Sequence, residues 1–100
     1  MKQTILELVE NEKERKFLDY HRDNPHIYEL FKRYALVAID SGRTRFGANS
    51  IIERIRWYSS VESEDDFGFK INNNHAPYYA RLFVGQYPQH SKFFSLRNLG

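Results

Sequence analysis

The stretch from Phe46 to Phe83, FGANSIIERIRWYSSVESEDDFGFKINNNHAPYYARLF, constrains the fold more than any other run of the chain. Ala48, Ile51, Ile52, Ile55 and Tyr58 recur at helical spacing and predict an amphipathic helix over residues 48–58. A stripe of that kind is stable only when buried against another element. The opposite face carries Asn49, Ser50, Glu53, Arg54 and Trp57, with Arg56 at the boundary. Ser59 to Gly68 is polar and acidic and reads as a loop, after which Phe69, Lys70 and Ile71 alternate as in a short strand. Asn72, Asn73 and Asn74 are turn and cap residues. Asn74 or His75 caps a second helix with Pro77 in its first turn, Tyr78, Tyr79, Leu82 and Phe83 on its apolar side, and Gly85 and Pro88 at its end.

Two more helices precede this stretch. Ile5, Leu8, Val9, Phe17 and Tyr20 share a face over residues 4–22, and Glu12 and Lys16 are placed for an i,i+4 ion pair. Asn24 and Pro25 then read as N-cap and first residue of a helix over 25–41, in which Ile27, Leu30, Phe31, Tyr34 and Ala38 form the stripe and Gly42 the stop. Leu36, Val37 and Ile39 widen its apolar surface, which predicts a central helix touched on more than one side. Phe93 to Arg97 reads as a closing strand, and a lone short strand needs a partner, so it is expected to pair with 69–71. The whole predicts a single α+β domain, mainly α. It has three to four helices and a small two-stranded antiparallel ribbon, winged-helix-like in arrangement, with residues 1–24 peripheral and 25–100 the core.

One hundred residues suffice for one hydrophobic core. With aromatics at 16%, that core is expected to rest on Phe and Tyr. The absence of cysteine excludes disulfides, thiolate metal sites and a cysteine nucleophile. The N-terminal apolar stretch is too short and too quickly charged for a signal peptide, and no run approaches the ~20 apolar residues of a membrane span. A cytoplasmic chain without membrane contact is expected. The net charge of +2 is too small to imply nucleic acid, but its distribution is uneven. Residues 61–66 hold four acidic side chains and no basic one, whereas residues 67–100 hold four basic and no acidic one.

Catalytic chemistry finds little purchase. His21, His26, His75 and His90 lack metal-ligand spacing, and each is expected as a surface or capping group. Glu62, Glu64, Asp65 and Asp66 supply oxygen ligands without the spacing of a calcium loop. No serine has a histidine and an acid at a recognisable interval, and there is no glycine-rich phosphate loop. The chain is therefore expected to be non-enzymatic, with no metal, cofactor or small-molecule substrate.

Binding is the stronger expectation. Helix 25–41, the basic connector Arg43-Thr44-Arg45-Phe46-Gly47 and helix 48–58 are arranged like a helix-turn-helix. Asn49, Ser50 and Arg54 would face base edges, while Arg43, Arg45 and Lys70 would meet phosphates. Alternatively helix 76–87 is the reading element, with Asn73, Asn74, His75 and Arg81 in contact; the sequence leaves both open. Duplex DNA is the first expected partner. The competing expectation is a protein-interaction module on a host or self protein, in which Trp57, Tyr78 and Tyr79 are the anchors.

IIERIRWY, followed by FKINNNHAPYYARLF, resembles a family of small uncharacterised proteins of bacteria and their phages. The resemblance spans roughly residues 25 to 97 and rests on Ile52 to Trp57, Phe69 to Asn72, Tyr78 to Arg81 and Arg97. It implies a bacterial or phage cytoplasmic setting, and with it a regulator that binds DNA or an inhibitor that binds a host protein.

Overall fold

The computed structural model describes the backbone of residues 5–63 and 71–94, with side chains from residue 12 onward. Helix α1 spans Ile5–Asp23, α2 Pro25–Asp40, α3 Ala48–Trp57 and α4 Ala76–Gln86. A π-helical turn, Tyr58–Glu62, prolongs α3, and short 3-10 turns lie at Asn73–His75 and Pro88–His90.

Helix α2 is the hub. It packs on α1, α3 and α4, as its widened apolar surface predicts. Ile27, Phe31 and Ala35, at i, i+4, i+8, face inward and are buried. Ile51, Ile52 and Ile55 of α3 and Tyr79, Ala80 and Phe83 of α4 close on them. The centre is aromatic. The Phe31 ring lies 5.6 Å from Tyr79 and 5.4 Å from Phe94, and Phe94 meets Phe83 edge-on at 5.7 Å. Phe17 of α1 enters this core, 4.8 Å from the Tyr79 ring and 5.1 Å from Tyr78.

The turns are set by local chemistry. Asn24 makes no side-chain cap to α2; its Nδ2 donates to the Tyr20 carbonyl at 3.0 Å and so serves the end of α1. Gly42 takes φ +99° just past the end of α2, the left-handed stop that glycine allows. The 73–75 turn opens on Asn72, whose side chain accepts from the Asn74 N–H at 2.9 Å; neither Asn74 nor His75 caps α4 with its side chain. Glu12 bonds Arg15 at 2.6 Å rather than pairing with Lys16.

The expected two-stranded ribbon does not appear among the described residues. Among the described residues there is no strand. Lys70 and the rest of the 69–71 strand except Ile71 lie outside the described residues, as do Ser95 to Arg97. Ile71 is buried, and its carbonyl accepts from Arg56 Nη2 at 2.7 Å in place of a neighbouring strand. Phe93 and Phe94 are both buried although adjacent, which the period-two pleat of a half-buried strand does not allow. Their segment turns to the connector instead. The Phe46 N–H donates to the Phe93 carbonyl at 2.9 Å, and an isolated parallel bridge joins Phe46 to Phe94. The described residues are therefore mainly helical with no wing among them, and the α+β, winged-helix-like expectation is corrected accordingly. The start of the expected loop at 59–68 is also helical, as the π turn. The Ser63 N–H closes that turn on the Tyr58 carbonyl at 2.8 Å, while the Ser59 and Ser60 hydroxyls donate to the Arg56 carbonyl at 3.2 and 2.9 Å. No helix among the described residues is long and apolar enough to cross a membrane.

Candidate functional site

The connector between α2 and α3 runs from Ser41 to Gly47, two residues longer than the sequence reading has it. It holds the two helices apart at one end and leaves a groove of about 550 Å³ between them. Tyr34, Val37 and Ala38 of α2 form one wall, Phe46 and Ile51 the other, and the lining is mostly apolar. Ser41, Arg43, Ser50, Glu53 and Arg54 supply the polar rim.

Arg54 is the best-placed charge at this rim. Its guanidinium lies over the Tyr34 ring, 4.7 Å from the centroid, where the negative ring face attracts it. Its Nη2 also stands 3.4 Å from Glu62 Oε1 on the π turn. Glu53 is engaged by Arg56, whose side chain crosses from α3 to the Ile71 carbonyl. Arg43 has no ion-pair partner among the described residues.

Ser50 and Arg54 lie in one helical row, and the row runs on to Trp57 and Val61. Trp57 is 57% exposed and Val61 59%, and Val37 on the facing helix is 59% exposed. Among the described residues these three and Leu18 are the large apolar side chains most open to solvent, and three of the four stand on α2, α3 and the turn that prolongs it.

The structure gathers Arg43, Ser50 and Arg54 on the groove. Arg45 and Asn49 are exposed beside it without lining it. Asn73 and Arg81 are exposed on the 73–75 turn and on α4, and among the described residues none beyond Arg54 lines the groove, so they do not join this site. Lys70 lies outside the described residues. Trp57 is at the surface, as an anchor requires, but Tyr78 and Tyr79 are not. Both are buried in the aromatic core, because Pro77 starts α4 with that face turned toward Phe17 and Phe31. Sequence reasoning missed Tyr34, Val37, Ala38, Phe46 and Ile51 as groove walls. The available signal is Val37, an apolar residue off the buried 27, 31, 35 row of α2.

A larger hollow of about 740 Å³ shares Val37 with the groove and is lined by His26, Glu29, Arg33, Asp40 and Tyr58 among others. Its charges are of both signs, and Lys32 and Glu29 already pair at 3.0 Å. No site residue expected from the sequence lines it.

Burial shifts the titration of several aromatic groups in and around the core. His75 is buried against Phe17, and burial holds its imidazole below the ordinary histidine value. Burial likewise pushes the Tyr79 hydroxyl up, and that of Tyr28 to about 12. The Tyr28 hydroxyl donates to Gln86 Oε1 at 2.7 Å and ties α2 to α4. His21 and His75 are thus packing groups on α1 and before α4, and the expectation that each histidine is a surface or capping group is corrected for these two. No cluster of three or more His, Asp or Glu suited to a metal ion occurs among the described residues. Comparison with protein families, with curated proteins and with solved structures returns no match.

Proposed function

We propose that this chain is a protein-binding module that takes a segment of a partner protein into the groove between α2 and α3. The observation that carries this reading is the groove itself, apolar on both walls, open to solvent, and continued along α3 by the exposed Trp57 and Val61. Apolar walls supply affinity by releasing water from both surfaces. Trp, Tyr and Arg are the side chains that most often dominate interface energy, and Trp57, Tyr34 and Arg54 stand together on this surface. Helix-in-groove recognition uses this arrangement, with anchors one turn apart entering the groove.

Duplex DNA is the second reading. It is favoured by the exposure of Asn49, Ser50 and Arg54 on α3, directly after a connector bearing Arg43 and Arg45. Against it stand Glu53 in the same helical row and Glu62 on the Arg54 guanidinium, which place negative charge where phosphates would lie.

A yeast-displayed library of random peptides, selected on the full chain and counter-selected on a Ser50→Trp variant, tests the reading. Ser50 is exposed at the rim, so a Trp there fills the groove without entering the core. Peptides enriched on the wild-type chain are expected to bind the variant at least about tenfold more weakly. The reading falls if no peptide is enriched while mixed-sequence duplex DNA binds with steep salt dependence that Arg43→Ala and Arg54→Ala both reduce.

A further inference from the structure

We infer that the segment accepted by this groove is acidic, an amphipathic stretch with an Asp or Glu beside its apolar anchors, and that Glu62 is the chain's own competitor for the place of that carboxylate. The inference rests on the groove reading above and adds the chemistry of the occupant and its control.

The charges at the rim decide the sign. Among the described residues, three charged ones line the groove: Arg43, Glu53 and Arg54. Glu53 is already bound by Arg56, so an incoming cation would have to break that pair. Arg43 has no anion among the described residues. Arg54 has one, Glu62, at 3.4 and 3.5 Å, longer than the roughly 2.7–2.9 Å of a strong charge-assisted bond. The side chains of Arg54 and Glu62 are each nearly half exposed, so the pair is screened and weak. The Tyr34 ring meanwhile keeps the Arg54 guanidinium at the groove rim, 4.7 Å from its centroid, and a guanidinium fork is suited to a carboxylate. An acidic segment therefore meets one unpaired and one weakly paired arginine beside an apolar floor.

The π turn explains how Glu62 reaches this place. In an uninterrupted α-helix, at about 100° per residue, position 62 would lie roughly 80° around the axis from position 54. The wider i→i+5 turn at Tyr58–Glu62 advances less per residue and brings Glu62 back toward the Arg54 side. A helical defect thus carries a carboxylate onto the guanidinium at the mouth of the groove. Single π turns of this kind recur at functional sites.

The test uses the full chain and one peptide from the library selection, synthesised with its Asp and Glu residues and again with these as Asn and Gln. Affinities are read by fluorescence anisotropy of a label on the peptide. The acidic peptide is expected to bind at least about tenfold more tightly than its amide twin. Glu62→Gln is expected to tighten the acidic peptide about two- to fivefold and leave the amide twin unchanged, as removal of a weak surface pair allows. Arg54→Ala is expected to remove most of the difference between the peptides. If the two peptides bind wild type equally, the acidic occupant is overturned while the groove reading stands. If the acidic peptide wins but Glu62→Gln leaves its affinity unchanged, the competitor role is overturned. Glu62 is at the surface, so the variant folds, and circular dichroism checks this.

Discussion

His75 packs its ring 5.5 Å from Phe17 and 5.3 Å from Tyr20, both on α1, with 7% of its surface exposed. Burial disfavours the imidazolium, so the folded state holds the neutral form to lower pH than the unfolded chain does. Below the ordinary histidine value of about 6.5 the unfolded chain binds the proton first, and stability falls as pH drops through the window between the two values. Urea denaturation is expected to show a lower midpoint at pH 5.5 than at pH 7.5, and His75→Phe is expected to shrink that difference. Tyr79 makes the opposite kind of prediction. Its hydroxyl is wholly buried with no hydrogen-bond partner among the described residues. Tyr79→Phe keeps the ring contacts and removes an unsatisfied group, so it is expected to leave thermal stability unchanged or raise it by about 1 kcal/mol. The place of Tyr79 on the apolar side of its helix was legible in the sequence, but its unsatisfied hydroxyl and the burial of His75 were not. A histidine or a tyrosine suits rim and core alike, and what decides between them here is the docking of Phe17, a contact between residues far apart in sequence.

At the level of elements, the helices were legible and their joints were not. Apolar periodicity with Asn24-Pro25, Gly42 and Pro77 places the four helices to within a residue or two, because these signals are local. Gly42 is the clearest of them. A Cβ there meets nothing within 4 Å, so its constraint is the backbone angle of +99° alone. Gly42→Ala is expected to cost about 1 kcal/mol or more in chemical denaturation, and the loss is expected to disappear in no variant that keeps this turn. The π turn and the missing ribbon escaped the sequence for a different reason. Ser59 to Glu62 is polar and reads as loop, yet it continues α3 because Ser59 is buried and the serine hydroxyls serve the Arg56 carbonyl. Phe93 and Phe94 have the composition of a strand, but their partner is Phe46, and pairing between such distant segments leaves no local pattern.

Over the whole molecule, the helix-turn-helix reading named the two helices that border the groove and a row of α3 that is exposed, and it did not include the space between them. Arg43, Ser50 and Arg54 were read as groups that project toward a nucleic acid; they rim a groove whose walls include Tyr34 and Val37, read as apolar surface of the central helix, and Phe46, read as part of the connector. A groove is a property of how far apart two helices sit, and here the seven residues from Ser41 to Gly47 and the Phe46 to Phe93 bond set that distance. The central claim is that this groove is the working surface. Amide chemical-shift mapping of the isotope-labelled full chain with a library-selected peptide tests it most directly. The largest shifts are expected at Tyr34, Val37, Arg43, Phe46, Ser50 and Arg54, extending to Trp57. Shifts concentrated instead at Asn73 and Arg81, with the α2–α3 groove unmoved, would contradict the account.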